Sequence, residues 1–269
     1  MGLSSVFCVA VVGIALVLGD TNIPAGAVEF EGDVPVFGEA RNDTLLNIDD
    51  TRTYEDCDDV MKRGQYKKPG AYLIYLNTSE PITVYCTFEE GSGGFVIMQQ
   101  KYGHVSFVQN YQRYLYGFGS AHLGDFWFGL IKTKALTDHG YNKLTVWMQD
   151  CNNILKKVIY NWFSLGPFST HFKLNIHSFD HLNSNLPDDF SFNNGMPFAT
   201  YDKPDINHCA IHQRGGWWYN RCTKTLPTGR YYQNCWYTPQ RGFYDGIYYE
   251  AWRGYSYSLK YIRMDLSKH

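Results

Sequence analysis

The segment Asp202–Cys222, DKPDINHCAIHQRGGWWYNRC, holds the residue types best suited to contact a ligand. Asp202, Asp205 and Asn207 supply carboxylate and amide oxygens within one short loop, a donor set that Ca²⁺ takes. Calcium is therefore the candidate cofactor, and solvated turn residues are the plainer alternative. Beyond that loop, Cys209 and Cys222 flank Gly215-Gly216-Trp217-Trp218-Tyr219. Paired glycines allow a tight turn or a close backbone approach, and the three rings offer large, rigid, amphipathic surface. Such a loop, closed by a disulfide, would hold a shallow ligand pocket rigid. The same two indoles would serve equally as packing, the usual fate of a buried Trp.

Catalytic templates are missing. There is no Gly-x-Ser-x-Gly elbow, no His-Glu-x-x-His, no phosphate loop and no dinucleotide fingerprint. Gly117-x-Gly119 followed by Gly124 imitates the last, but a helix stop explains those glycines better. With 9 His and 26 acidic residues some acid–base pair arises by proximity, yet nothing in the spacing selects one. The sequence predicts a docking surface and no enzyme.

The elements that must position this loop belong to a glycine-rich, aromatic chain. Aromatics make up 17% of the 269 residues and charged residues only 19%, a loop-rich globular composition long enough for one large domain or two modest ones. The formal charge is −2 with no run of like charges, which excludes the basic stripe of a nucleic-acid partner or a polybasic lipid contact. Residues 1–19 read as a secretory signal whose apolar run, Val6–Leu18, is too short to span a bilayer; cleavage after Ala27 is the alternative. No later stretch is long and apolar enough to cross a membrane, so the protein is expected to be secreted. Losing the signal removes Cys8 and leaves an even set, Cys57, Cys86, Cys151, Cys209, Cys222 and Cys235, suited to an oxidising compartment. Six cysteines allow many pairings, and spacing alone does not choose. Sequons at Asn42 and Asn77 agree with glycosylation on the same route.

Residues 20–53 form a polar, acidic, extended leader with neither a Gly-X-Y repeat nor heptads, so any avidity must come from self-association of the globular domain. A helix is expected over Tyr54–Gly64, ending on a left-handed glycine cap. Strands follow at Ala71–Leu76, Ile82–Phe88 and Phe95–Lys101, then an amphipathic helix within Phe107–Gly119 and a short helix over Lys132–His139. Further strands are expected at Leu144–Asp150, Lys156–Phe163 and Phe172–His177. From Asn183 onward Asn, Asp, Gly and Pro dominate, and the last third should be mostly loops. The fold class is α+β.

Taken in order, Asp56-Cys57, Val84-Tyr85-Cys86, Gly93-Gly94-Phe95-Val96-Ile97-Met98-Gln99, the stretch from Gly117 to Leu130, Asn194-Gly195-Met196, Cys209-Ala210, Trp217-Trp218-Tyr219, Cys222, Gly229-Arg230-Tyr231-Tyr232, Asp245-Gly246-Ile247 and Gly254-Tyr255 resemble the fibrinogen C-terminal-like domain. That domain is shared by fibrinogen chains, ficolins, tachylectins, tenascins and angiopoietins. The resemblance covers 54–269, and without a collagen stalk the chain is similar to the ficolin and tachylectin branch. It implies a mixed, mainly antiparallel sheet with short helices and a loop-rich ligand face near the C-terminus. It also implies disulfides Cys57–Cys86 and Cys209–Cys222, which leaves Cys151 and Cys235 to pair as extra cysteines.

In the lectin branch an acetyl group sits in an aromatic pocket beside a cis peptide, which by position would be Arg221-Cys222. The matching pocket positions are Gln213, Thr223, Phe243, Tyr244 and Tyr255, with Trp217, Trp218 and Tyr219 framing the rim. Only Tyr255 keeps the lectin type, and Tyr244 is bulky enough to fill the pocket. The calcium loop is shortened and carries Pro204 between its two Asp. The resemblance thus implies a secreted recognition protein binding carbohydrate or another extracellular ligand, in innate defence, or else a protein-binding ligand or matrix and adhesion component using the same face.

Overall fold

The computed structural model describes residues 53–64, 68–76, 80–89, 91–239 and 242–269. The signal, the leader and both sequons, Asn42 and Asn77, lie outside the described residues. Helix α1 (Cys57–Arg63) begins where Asp56 accepts the Asp59 amide at 2.8 Å. Acids in its first turn and Lys62 and Arg63 in its last complement the helix dipole. Gly64 ends it in an extended conformation (φ −66°), not in the expected left-handed one, with its N–H on the Val60 carbonyl.

Strands β1 (Gly70–Ile74), β2 (Ile82–Glu89) and β3 (Ser92–Gln100) then run as an antiparallel meander. Gly93 opens β3 directly against α1: a Cβ there would lie 2.2 Å from the Cys57 carbonyl oxygen, so only glycine fits. The Cys57–Cys86 disulfide staples α1 to β2 at the same place. Closing a loop of this length stabilises by roughly 3–4 kcal/mol on the chain-entropy account.

Helix α2 is shorter than its sequence suggests, Tyr111–Tyr116, because Asn110 caps it and Gly117 (φ 100°) stops it. A small hairpin, β4 (Phe118–Ser120) and β5 (Asp125–Trp127), leads to α3 (Leu130–Asp138). The hairpin of β6 (Lys143–Gln149) and β7 (Leu155–Leu165), followed by β8 (Leu174–Phe179), completes one wing of the sheet. Alternation is clean in β6, where Leu144, Val146 and Met148 are buried and Thr145, Trp147 and Gln149 are only partly so.

The last third holds α4 (Cys209–Gln213), the two-residue pair β9 (Thr225–Leu226) and β10 (Tyr248–Tyr249), and α5 (Glu250–Arg253). It also holds β11 (Tyr261–Ser267), which the loop-rich composition concealed. That strand lies in the middle of the main sheet, whose order is β1-β2-β3-β11-β6-β7-β8 with every ladder antiparallel. The chain's end therefore joins two wings built much earlier. Between the sheet and the C-terminal loops sits an aromatic core of Trp127, Phe163, Phe190, Phe198, Trp217 and Trp218.

The two implied disulfides, Cys57–Cys86 and Cys209–Cys222, are present, and the extra cysteines pair as Cys151–Cys235, as expected. The last ties the turn after β6 to the C-terminal loops across 84 residues, a separation for which the same account gives about 4–5 kcal/mol. No helix among the described residues is long and apolar enough to cross a membrane.

Candidate functional site

The Cys209–Cys222 loop is shaped by its backbone first. Helix α4 is a single turn held between His208 (φ 56°) and Arg214 (φ 63°), both left-handed. Asp205 starts it: one carboxylate oxygen accepts the Ala210 N–H at 2.9 Å, the other those of Asn207 and Cys209 at 3.0 and 3.1 Å. Asp202 serves a different element, accepting the Tyr111 N–H at the start of α2 (2.9 Å) and the Thr200 hydroxyl (2.7 Å). The two carboxylates thus cap two helices instead of converging. No group of three or more His, Cys, Asp or Glu side chains among the described residues is arranged for a metal. As placed, Asp202, Asp205 and Asn207 do not fit a calcium ion.

The rim residues behave otherwise than expected. Trp217, Trp218 and Tyr219 are 0%, 1% and 2% exposed and frame no recess. Trp217 is bridged to Ala199 by reciprocal backbone hydrogen bonds of 2.9 and 3.0 Å and stacks on Phe190 at 4.9 Å. Trp218 donates its indole N–H to the Phe172 carbonyl (2.8 Å), and the Tyr219 hydroxyl donates to Gly215 (2.6 Å). Gly216 explains the paired glycines: a Cβ there would meet the Tyr114 ring at 2.5 Å, and its N–H donates to the Tyr114 hydroxyl at 2.9 Å. These indoles are core because β-bridging and the glycine contact draw the segment inward.

Every described peptide bond is trans, so the expected cis bond at Arg221-Cys222 is absent. The chain instead turns through three successive left-handed residues, Arg221 (φ 47°), Cys222 (64°) and Thr223 (72°). Such conformations are costly without glycine and persist where the surroundings enforce them. Here the buried Thr223 hydroxyl lies 2.8 Å from the Asn193 side-chain oxygen and 2.9 Å from the Thr225 carbonyl. Asn193 in turn donates to the Trp218 carbonyl at 2.6 Å.

Three predicted positions do converge on a tyrosine that the sequence did not single out, and a fourth, Tyr244, joins through two of them. The buried Gln213 donates to the Tyr248 hydroxyl (2.7 Å) and to the Tyr244 carbonyl (3.0 Å), and Tyr248 donates to the Cys222 carbonyl (3.3 Å). Tyr255 meets Tyr248 edge-on at 5.1 Å and stacks on Tyr244 at 5.5 Å. Burial pushes both the Tyr248 and Tyr255 hydroxyls above the usual phenol range, with Glu250 adding to the effect at Tyr255, so both remain protonated. Tyr244, which the resemblance placed at the acetyl pocket, is itself 38% exposed. Its neighbour Phe243 faces outward, 41% exposed, and stacks face to face on His212 at 3.9 Å. Arg221 is exposed beside this cluster's backbone. Tyr248, Asn193 and His212 carried no sequence signal beyond their nearness to the Asp245-Gly246-Ile247, Asn194-Gly195-Met196 and Cys209 motifs.

What the arrangement offers is a rigid, hydrogen-bonded base with exposed rings and aliphatic side chains around it. That describes a disulfide-stapled recognition domain of the extracellular type. The chain belongs to the family of the fibrinogen beta and gamma chains, C-terminal globular domain, whose model matches residues 53–269. It is 32% identical over 226 residues to Ryncolin-4 of Cerberus rynchops, an alignment that covers 82% of this chain and 63% of that protein. The fibrinogen-like globe domain of human ANGPTL2 superposes with a TM-score of 0.74 at 32% identity, covering 80% of this chain and 99% of that one. Lamprey fibrin D-dimer complexed with the peptide ligand Gly-His-Arg-Pro-amide gives 0.73 at 28% identity, over 81% and 74% of the two chains.

Proposed function

We propose that this protein is a secreted recognition factor that binds a peptide or protein segment across the rim of its C-terminal loops. The observation that carries the reading is the outward Phe243–His212 stack, with the Tyr244–Tyr255 stack in the residues that follow. Ile206 and Ile211, exposed on the loop and helix that lead to His212, extend the apolar character of that rim. A broad aromatic and aliphatic rim over a rigid base suits a side chain or backbone segment better than a small acetyl group, which needs a recess. The peptide held by the lamprey relative supports the same direction. Three disulfides suit an oxidising, extracellular setting. On this reading the face docks its ligand passively and performs no reaction.

The test is selection of peptides on the secreted protein, with affinities measured by fluorescence polarisation. Phe243→Ala and Tyr244→Ala should each weaken selected peptides by about tenfold, as central aromatic anchors do. A glycan array run in parallel decides the alternative. Binding to acetylated sugars that vanishes in Tyr255→Ala would replace this reading with the carbohydrate one and its place in innate defence.

A further inference from the structure

A second surface, sharing no residue with the C-terminal rim, lies on the outer side of the main sheet. An open groove of about 610 Å³ runs over the ends of β3, β11, β6 and β7. Its chemistry is set by Lys101, Tyr102, Gln149, Lys260, Tyr261 and Arg263, and no carboxylate lines it. The sheet register explains why these residues meet. Gln100 pairs with Ile262 and Tyr261 with Gln149, so Lys101 and Lys260 fall on either side of Tyr261 at the same end of the sheet.

The charge of the groove is uncompensated where it matters. Arg263 is neutralised by Glu89 (2.8 Å) and Asp265 (2.6 Å), both outside the lining. Lys101 and Lys260 have no carboxylate partner among the described residues. The Lys101 ammonium lies over the Tyr102 ring at 4.9 Å, and that of Lys260 contacts the Asn153 side-chain oxygen at 2.5 Å. Like-sign charges gathered without counterions raise the local potential toward anions.

The groove is also preorganised. Asp125 is wholly buried and gathers three backbone amides of the loop that carries Tyr102: Lys101 at 2.6 Å, Tyr102 at 3.0 Å and His104 at 2.6 Å. The Tyr102 ring stacks on His104 at 5.5 Å and closes over Gly124, where a Cβ would collide with it at 2.7 Å. A half-exposed ring is thus fixed in place beside the Lys101 ammonium. Little ordering entropy remains to be lost on binding.

Rings fixed at the wall, an amide and two ammonium groups with no carboxylate partner among the described residues form a set suited to a saccharide that carries negative charge. The rings take the apolar faces of the sugars, Gln149 their hydroxyls and the lysines their sulfate or carboxylate groups. From this geometry we infer that the outer sheet groove binds an acidic, sulfated or uronate-bearing, glycan. Acidic peptide, the competing polyanion, would use the lysines but has no need of a fixed ring.

The experiment is calorimetric titration of the secreted protein with a heparin octasaccharide, with neutral dextran, and with an oligoglutamate of matched charge. The octasaccharide should bind, dextran should not, and oligoglutamate should bind at least about tenfold more weakly. Lys101→Ala with Lys260→Ala should cost the octasaccharide about tenfold or more and reduce the salt dependence. Tyr102→Ala should cost several-fold with the salt dependence retained. Lys134→Ala, which removes a remote cation paired with Asp138, and Phe243→Ala should leave octasaccharide binding unchanged. Absence of octasaccharide binding, or full binding by the double lysine variant, overturns the assignment. Equal affinity for oligoglutamate with no effect of Tyr102→Ala overturns it in favour of an acidic peptide.

Discussion

Trp217-Trp218 and Phe243-Tyr244 are both adjacent aromatic pairs in the C-terminal third, yet one is interior and the other is surface. Trp217 is pulled inward by its bridge to Ala199 and by Gly216, which lets Tyr114 approach. Phe243 follows Gly242 (φ 75°) in a loop that has no ladder partner among the described residues, and it stacks on His212. The difference teaches that backbone pairing, more than ring size, decides which aromatics a ligand can reach. In this fold the indoles hold the base rigid, and the rim beside them is left to meet the outside.

The largest test of that contrast is Trp218→Ala. The ring is packed against Trp127, Phe163, Phe198 and Trp217, so its removal should cost about 3–5 kcal/mol in denaturant unfolding. A loss under about 1 kcal/mol with ligand binding abolished would return the indoles to the recognition surface. Next comes Asp205→Ala, which strips the amide acceptor from α4 and should cost about 1–2 kcal/mol. Because that carboxylate is a cap, excess Ca²⁺ and excess EDTA should give the same melting temperature. A calcium-dependent rise that Asp205→Ala removes would show that the loop rearranges to take the ion.

Most of the scaffold was legible in the residues. The alternation of β6, the β-branched and aromatic runs of β1 and β2, the acidic start and basic end of α1, the Gly117 stop of α2 and the order of the family motifs each express a local rule. Strand β11 was hidden because Tyr261–Ser267 carries the charged Arg263 and Asp265 among its apolar residues and sits in a loop-rich context. Only pairing with β3 and β6, across more than a hundred residues, makes it a central strand. At the candidate site, the resemblance pointed to Gln213, Cys222, Tyr244 and Tyr255, whereas Tyr248, which contacts three of them, carried no signal. Trp217 and Trp218 were misplaced for the opposite reason, since aromatic character is the same signal for a core and for a pocket. The calcium reading failed to fit because Asp202 and Asp205, neighbours in sequence, face α2 and α4 separately.

The contrast between inside and outside extends to charge. Asp265 is buried on the sheet beside Arg263, and burial raises its carboxyl to about 6 although the guanidinium opposes the shift. An unfolded aspartate titrates near 3.9. Between about pH 4 and 6 the native state therefore holds a proton that the unfolded chain has lost, so this contribution is full below that window and falls as pH rises through it. Subtracting the stability profile of Asp265→Asn from that of the native protein should leave a limb that declines toward pH 6 and is flat above. A limb that rises with pH would mean that the Arg263 ion pair outweighs burial.

The smallest effect on stability belongs to Phe243→Ala. Its ring is exposed and its main partner, His212, is exposed too, so truncation should change unfolding by no more than about 0.5 kcal/mol. Peptide affinity should nevertheless fall about tenfold, the reverse of the balance expected for Trp218→Ala. If Phe243→Ala unfolds the protein as readily as the indole truncation does, the rim is part of the core. If it changes neither stability nor binding, the stack with His212 is an idle surface contact, and the ligand must be sought at the groove over β3 and β11.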